Sequence, residues 1–100
     1  MEEEAKYVVV RRYQGASALF DELARRQAEV EQVIRGVPGF VAYYLVKTDD
    51  GGATITVCDD RAGTQESTRR AADWVRQNVP AAAANPPEVT EGEALYQFAR

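Results

Sequence analysis

The stretch GFVAYYLVKTDDGGATITVCD, residues 39–59, reads as two strands joined by a hairpin, and it decides the fold. Both arms are rich in β-branched and aromatic residues, and the acidic-plus-glycine centre supplies the positive backbone angles that a tight turn needs. A loop over 50–51 or 49–52 pairs Tyr44 with Val57, Leu45 with Thr56 and Val46 with Ile55. Strand side chains alternate, so this pairing sorts the hairpin into two faces. Phe40, Ala42, Tyr44, Val46, Ala53, Ile55 and Val57 make the more apolar set and are expected beneath helices. Val41, Tyr43, Leu45, Lys47, Thr54, Thr56 and Cys58 make the other set.

Before the hairpin, residues 6–14, KYVVVRRYQ, read as a first strand that Gly15 breaks. A helix follows, with Ser17 as its expected N-cap and Gly36 and Pro38 as its stop. Phe20, Leu23, Gln27, Val30, Ile34 and Val37 recur at helical steps and predict one buried stripe. Asp21–Arg25, Glu22–Arg26 and Glu31–Arg35 are spaced as ion pairs on the opposite side. After the hairpin, a second helix is predicted over 64–78, with Ala71, Ala72, Trp74, Val75 and Val79 inward. Residues 80–87 form a linker with room for one helical turn, and a last strand is expected over 89–98. Gly92 within that strand suggests a bulge or a close backbone approach.

The order β-α-β-β-α-β predicts an α+β domain spanning 1–100, with a four-stranded antiparallel sheet and two helices on one face. The remaining face, carrying Val41, Tyr43, Leu45, Thr54 and Thr56, then needs cover. Half-solvated antiparallel sheets normally alternate cleanly between apolar and polar residues, and this one does not. A homodimer through that face is the expected solution, with a hydrophobic ligand or another protein as the alternative.

The chain has 100 residues, a formal charge of −4 and a single cysteine. This acidic balance argues against nucleic acid, whose phosphates are gripped by clustered Lys and Arg. One cysteine excludes an intrachain disulfide scaffold. The acidic start MEEEAK is unlike a targeting peptide, and no apolar run approaches the roughly 20 residues needed to cross a bilayer. A cytoplasmic protein without membrane contact is expected.

Few residues offer chemistry. Trp74, the single tryptophan, would stack on a flat substrate, or simply fill the core. Asn78 lies four residues on and shares its face. Tyr44 is expected to line any pocket beneath the helices. Arg11 and Arg12 occupy successive strand positions, so one of them points into an otherwise apolar side and needs a carboxylate, a carbonyl cluster or a ligand anion. Arg12 is the candidate taken with Trp74, Asn78 and Tyr44, although alternation leaves open which arginine faces the helices. Cys58 lacks a histidine to activate it and reads as structural. Asp59, Asp60 and Glu66 read as turn and helix-start carboxylates, and no metal site is expected.

The segments YVVVRRY, RGVPGF, YYLVKTDDGGATITVCDD and ESTRRAADWV together resemble the dimeric α/β-barrel superfamily of ferredoxin-like domains. Within it the chain looks most like the antibiotic-biosynthesis-monooxygenase-like group, over nearly its whole length from Tyr7 to Phe98. That resemblance implies two ferredoxin-like sheets packed face to face. For activity it implies cofactor-independent oxygenation of a small aromatic or polyketide-like molecule, with no cofactor. The haem-degrading branch of the superfamily relies on a histidine, and this chain has none. The quinone-forming members use Trp, Asn, Tyr and Arg, but there the Asn precedes the Trp, and here the order is reversed. A non-catalytic domain that binds a ligand or merely assembles is the alternative.

Overall fold

A computed structural model describes residues 5–100. Strand β1 spans Lys6–Gln14, helices α1 and α2 span Ser17–Arg25 and Gln27–Arg35, and the hairpin strands β2 and β3 span Phe40–Thr48 and Gly51–Cys58. Helix α3 covers Arg61–Asn78, a 3-10 turn covers Pro80–Ala84, and β4 covers Glu88–Ala94. The strands form one antiparallel sheet in the order β2-β3-β1-β4. This is the ferredoxin-like α+β arrangement that the element order predicts, with the first helix divided in two.

The division falls at Arg26, whose φ of −112° and ψ of 41° leave the helical region. Leu19, Phe20 and Leu23 pack inward from α1, and Val30 and Ile34 from α2. Gln27, the polar member of the expected stripe, is exposed just after the break. The Arg26 guanidinium bridges the pieces, donating to Glu29 at 2.7 and 2.8 Å and to Asn78 Oδ1 at 2.8 Å. Ser17 is not the cap, since Ala16 holds that position without a side-chain bond. Of the expected ion pairs, Glu22–Arg26 and Glu31–Arg35 form, whereas Asp21 reaches Lys47 instead. Helix α3 starts three residues earlier than expected because the Asp60 carboxylate accepts the Gly63 N–H at 3.1 Å. Ala72, expected inward, is exposed.

Two features of the hairpin differ from expectation. Its turn is Asp49–Asp50, so Thr48 pairs with Gly51 and Tyr44 with Ile55, two residues from the expected register. A slip of two keeps each side chain on its face. The second difference matters more, because the two faces are exchanged. Tyr43, Leu45, Thr54, Thr56 and Cys58 lie beneath the helices, along with Val9, Arg11 and Tyr13 from β1. Tyr44, Val46 and Ile55 lie on the open face with Val10 and Arg12. Tyr43, Leu45, Thr54 and Thr56 are therefore not on the open face, as a role in sheet-face dimerisation requires. Val41 sits at a register shift between Phe40 and Ala42, which also turns Phe40 toward the core.

The physical reason lies in close approach. A Cβ on Gly52 would stand 2.3 Å from the Phe20 ring, and one on Gly63 would stand 2.8 Å from the Cys58 Cβ. The helices settle on the side that has no side chain at position 52, although the opposite side is more apolar. Strand β4 ends at Ala94, short of Phe98, because its partner β1 begins at Lys6. Gly92 makes neither a bulge nor a close approach, as it pairs in register with Val8 and has open space around it. Beyond β4, Leu95, Tyr96 and Phe98 are 81%, 83% and 89% exposed, with the Tyr96 and Phe98 rings stacked at 5.9 Å.

Candidate functional site

Between the helices and the β2 edge of the sheet runs a cleft of about 580 Å³. Leu23, Val30 and Ile34 form one wall; Phe40, Tyr43 and Leu45 form the other. Such a volume is in the range of small-molecule sites. Leu23, Val30, Ile34 and Tyr43 also line a small inner cavity of about 20 Å³, which continues to Tyr13, Thr54 and Trp74. The inner space is water-sized.

Trp74 is buried and lines the inner cavity. Arg26 covers its ring with the guanidinium carbon 5.0 Å from the ring centroid. Asn78 is on the same helix face but is occupied, donating to the Trp74 carbonyl at 2.9 Å while accepting from Arg26. The structure thus brings Trp74 and Asn78 together but gives Asn78 no place in the cavity lining. Tyr44 stands on the open face, 57% exposed, and only borders the outer cleft. Arg12 is exposed and lines a depression on the open face. Tyr43 occupies the pocket position expected of Tyr44, and Arg11 is the arginine that faces the helices.

Arg11 is the distinctive group here, 1% exposed. Its Nε donates to Thr54 Oγ1 at 2.9 Å and Nη2 to Thr56 Oγ1 at 2.6 Å, while Nη1 donates to Ser67 Oγ at 3.2 Å and Thr68 Oγ1 at 2.8 Å. Every partner is an uncharged hydroxyl. Burial works against the charged form, opposed by Tyr13, Tyr43 and Cys58. Burial also pushes the Tyr43 phenol up to about 12, with Arg11 pulling the other way, and raises Tyr13 for the same reason. Both tyrosines are therefore protonated donors at neutral pH. The Cys58 thiol is raised by burial and then by Asp60 and Asp59, as suits an inert buried sulfur.

Tyr13, Tyr43 and Thr54 escape sequence reasoning because apolar content assigns the two faces the wrong way round. Gly52 carries the missing signal, since it shares the helix-side set with Thr54 and marks where a helix presses on the sheet. Among the described residues, no three His, Cys, Asp or Glu side chains gather as a metal site, and no helix is long and apolar enough to cross a membrane.

No protein-family model and no curated protein matches the chain. Solved structures do match along its whole length. A Nitrosomonas europaea protein of unknown function superposes with a TM-score of 0.75 at 19% identity, covering 99% of this chain and 98% of its own. A Streptomyces coelicolor monooxygenase from the gene ActVA-Orf6, in complex with nanaomycin D, gives 0.62 at 16% identity, with 98% and 94% covered. A mutant of SnoaB, a cofactor-independent oxygenase from Streptomyces nogalater, gives 0.51 at 20% identity, with 98% and 97% covered. Identities this low speak for the fold alone, a ferredoxin-like α+β fold that this chain shares with these oxygenases and with a protein of unknown function.

Proposed function

We propose that the chain is a homodimeric, monooxygenase-like domain whose cleft receives a small aromatic or polyketide-like molecule and lets it react with oxygen. The observation that carries this reading is the largely apolar cleft walled by Phe40, Tyr43 and Leu45, beside an inner cavity that reaches Tyr13 and Trp74 and shares Leu23, Val30, Ile34 and Tyr43 with it. The inner lining holds no His, Asp or Glu, which favours a substrate with an acidic C–H of its own. An activated methylene flanked by aromatic rings supplies one. Its carbanion reduces oxygen, a C–O bond forms, and the resulting peroxide loses water to leave a carbonyl. One oxygen atom stays on carbon and the other departs as water with the two methylene hydrogens, so no external reductant is needed. Apolar walls would exclude bulk water, and the protonated Tyr13 and Tyr43 would act as hydrogen-bond donors.

The open sheet face supports the homodimer. Val10, Tyr44, Val46 and Ile55 lie there without helical cover, and the arm bearing Leu95, Tyr96 and Phe98 adds exposed apolar surface. The small inner cavity and the lack of an acid–base pair favour a second reading, a non-catalytic binding domain. Anthrone-type compounds incubated with purified protein in air distinguish these readings. Saturable quinone formation with matching oxygen uptake supports oxygenation. Saturable binding without turnover leaves the binding domain, and no binding removes both.

A further inference from the structure

A guanidinium stays charged at any working pH, and a charge taken out of water normally meets an opposite charge or a dense set of polar partners. Arg11 meets only hydroxyls: four hydrogen bonds serve five N–H donors, and no carboxylate is among the groups that act on it. Of the four acceptors, only Thr54 also lines the inner cavity. Ser67 passes its own hydrogen to the Thr64 carbonyl at 2.7 Å, whereas the Thr54 hydroxyl has no acceptor for its hydrogen among the described residues. A hydroxyl that accepts from a buried cation is a stronger donor in turn, since charge-assisted and chained hydrogen bonds reinforce one another.

We infer that the inner cavity is an oxyanion subsite in which Thr54, polarised by Arg11, donates to the ionised oxygen of a small aromatic ligand. This inference rests on the reading that the cleft holds such a ligand. The ligand oxygen enters the water-sized inner space, and its rings occupy the outer cleft. Its negative charge supplies the counter-charge that Arg11 lacks. Thr54 is the contact and Arg11 the positioning residue behind it. A phenolate, enolate or aromatic carboxylate fits this chemistry, and a neutral hydrocarbon does not. The titratable groups facing the pair are Tyr13 on β1, Tyr43 on β2 and Cys58 on β3, and all three are held toward their protonated forms. Helix α3 presents only Ser67 and Thr68 to the guanidinium.

A nitronaphthol tests this, because its absorbance separates phenol from phenolate. Bound to the wild-type chain, its ionisation should move to lower pH by about one unit or more, a roughly ten-fold preference for the anion. Thr54→Val should bind the neutral phenol but lose most of that shift, and Thr54→Ser should restore it. In wild-type protein carrying ¹⁵N-arginine, the Arg11 Nε–H resonance should move as the phenolate binds. Binding with an unchanged or raised ionisation overturns the inference and leaves the cleft reading standing. Absence of saturable binding overturns both. If Thr54→Val does not fold, the wild-type shift and the arginine resonance decide the matter.

Discussion

Arg11 and Thr54 are register partners on neighbouring strands and are also hydrogen-bonded through their side chains, Nε to Oγ1 at 2.9 Å. Backbone pairing thus places the cation beside its acceptor, and α3 closes over both with Ser67 and Thr68.

Replacing Arg11 with Met takes the donor from four hydroxyls, of which those of Thr54 and Thr56 are buried and have no other hydrogen bond among the described residues, while relieving the cost of burying a charge. The first effect should win, because the hydroxyls remain enclosed between sheet and helix. We expect a loss of about 2–4 kcal/mol in urea unfolding. Arg11→Lys should recover less than half, since one ammonium cannot reproduce the planar fork. Full stability in the Met variant would mean that desolvation of the charge outweighs the whole network.

Tyr43 predicts alkaline sensitivity. Its folded-state value of about 12 lies above the ordinary 10.0, so the folded chain holds the phenolic proton more tightly than the unfolded one. That contribution is complete below pH 10 and fades as pH rises through about 12. Stability should therefore fall across this interval, by up to about 2 kcal/mol from this residue. Tyr43→Phe should flatten the fall without removing it, because Tyr13 is raised in the same direction. A slope unchanged in the Phe variant would show that Tyr43 titrates freely in the native state.

Tyr44 predicts the assembly. Wild-type protein should sediment at twice the 11.1 kDa chain mass at micromolar concentration. Tyr44→Glu places a carboxylate on the open face and should yield a folded species of one chain mass. Tyr43→Phe, on the helix side, should leave the dimer intact. A wild-type chain that is already monomeric and well folded defeats the dimer reading.

Much of the architecture is legible in the sequence. Strand β1 and the order of elements follow from β-branched runs and helical spacing, which are local signals. The break at Arg26 is visible only as a polar Gln27 within an apolar stripe, and alternation sorts the hairpin without saying which set lies inside. Choosing the more apolar set as the interior fails, because this core accepts Arg11, Thr54, Thr56 and Ser67 as a satisfied polar network. That choice also sends Tyr44 to the wrong side of the sheet and leaves Arg11 and Arg12 undecided, while Trp74, identified by its place on a helix, is unaffected. Long-range polar satisfaction leaves no periodic trace in a single chain.

Because the helical wall of the cleft is cut at Arg26, its stiffness is not that of one rod. Each nine-residue piece is too short to persist as an isolated helix and takes its rigidity from the sheet beneath. Bending compliance is gathered at a single residue, spanned by the Glu22, Glu29 and Asn78 contacts of one guanidinium. The ion pairs that span this break lie at the surface, where dissolved salt weakens them, whereas the enclosed network around Arg11 is shielded from it.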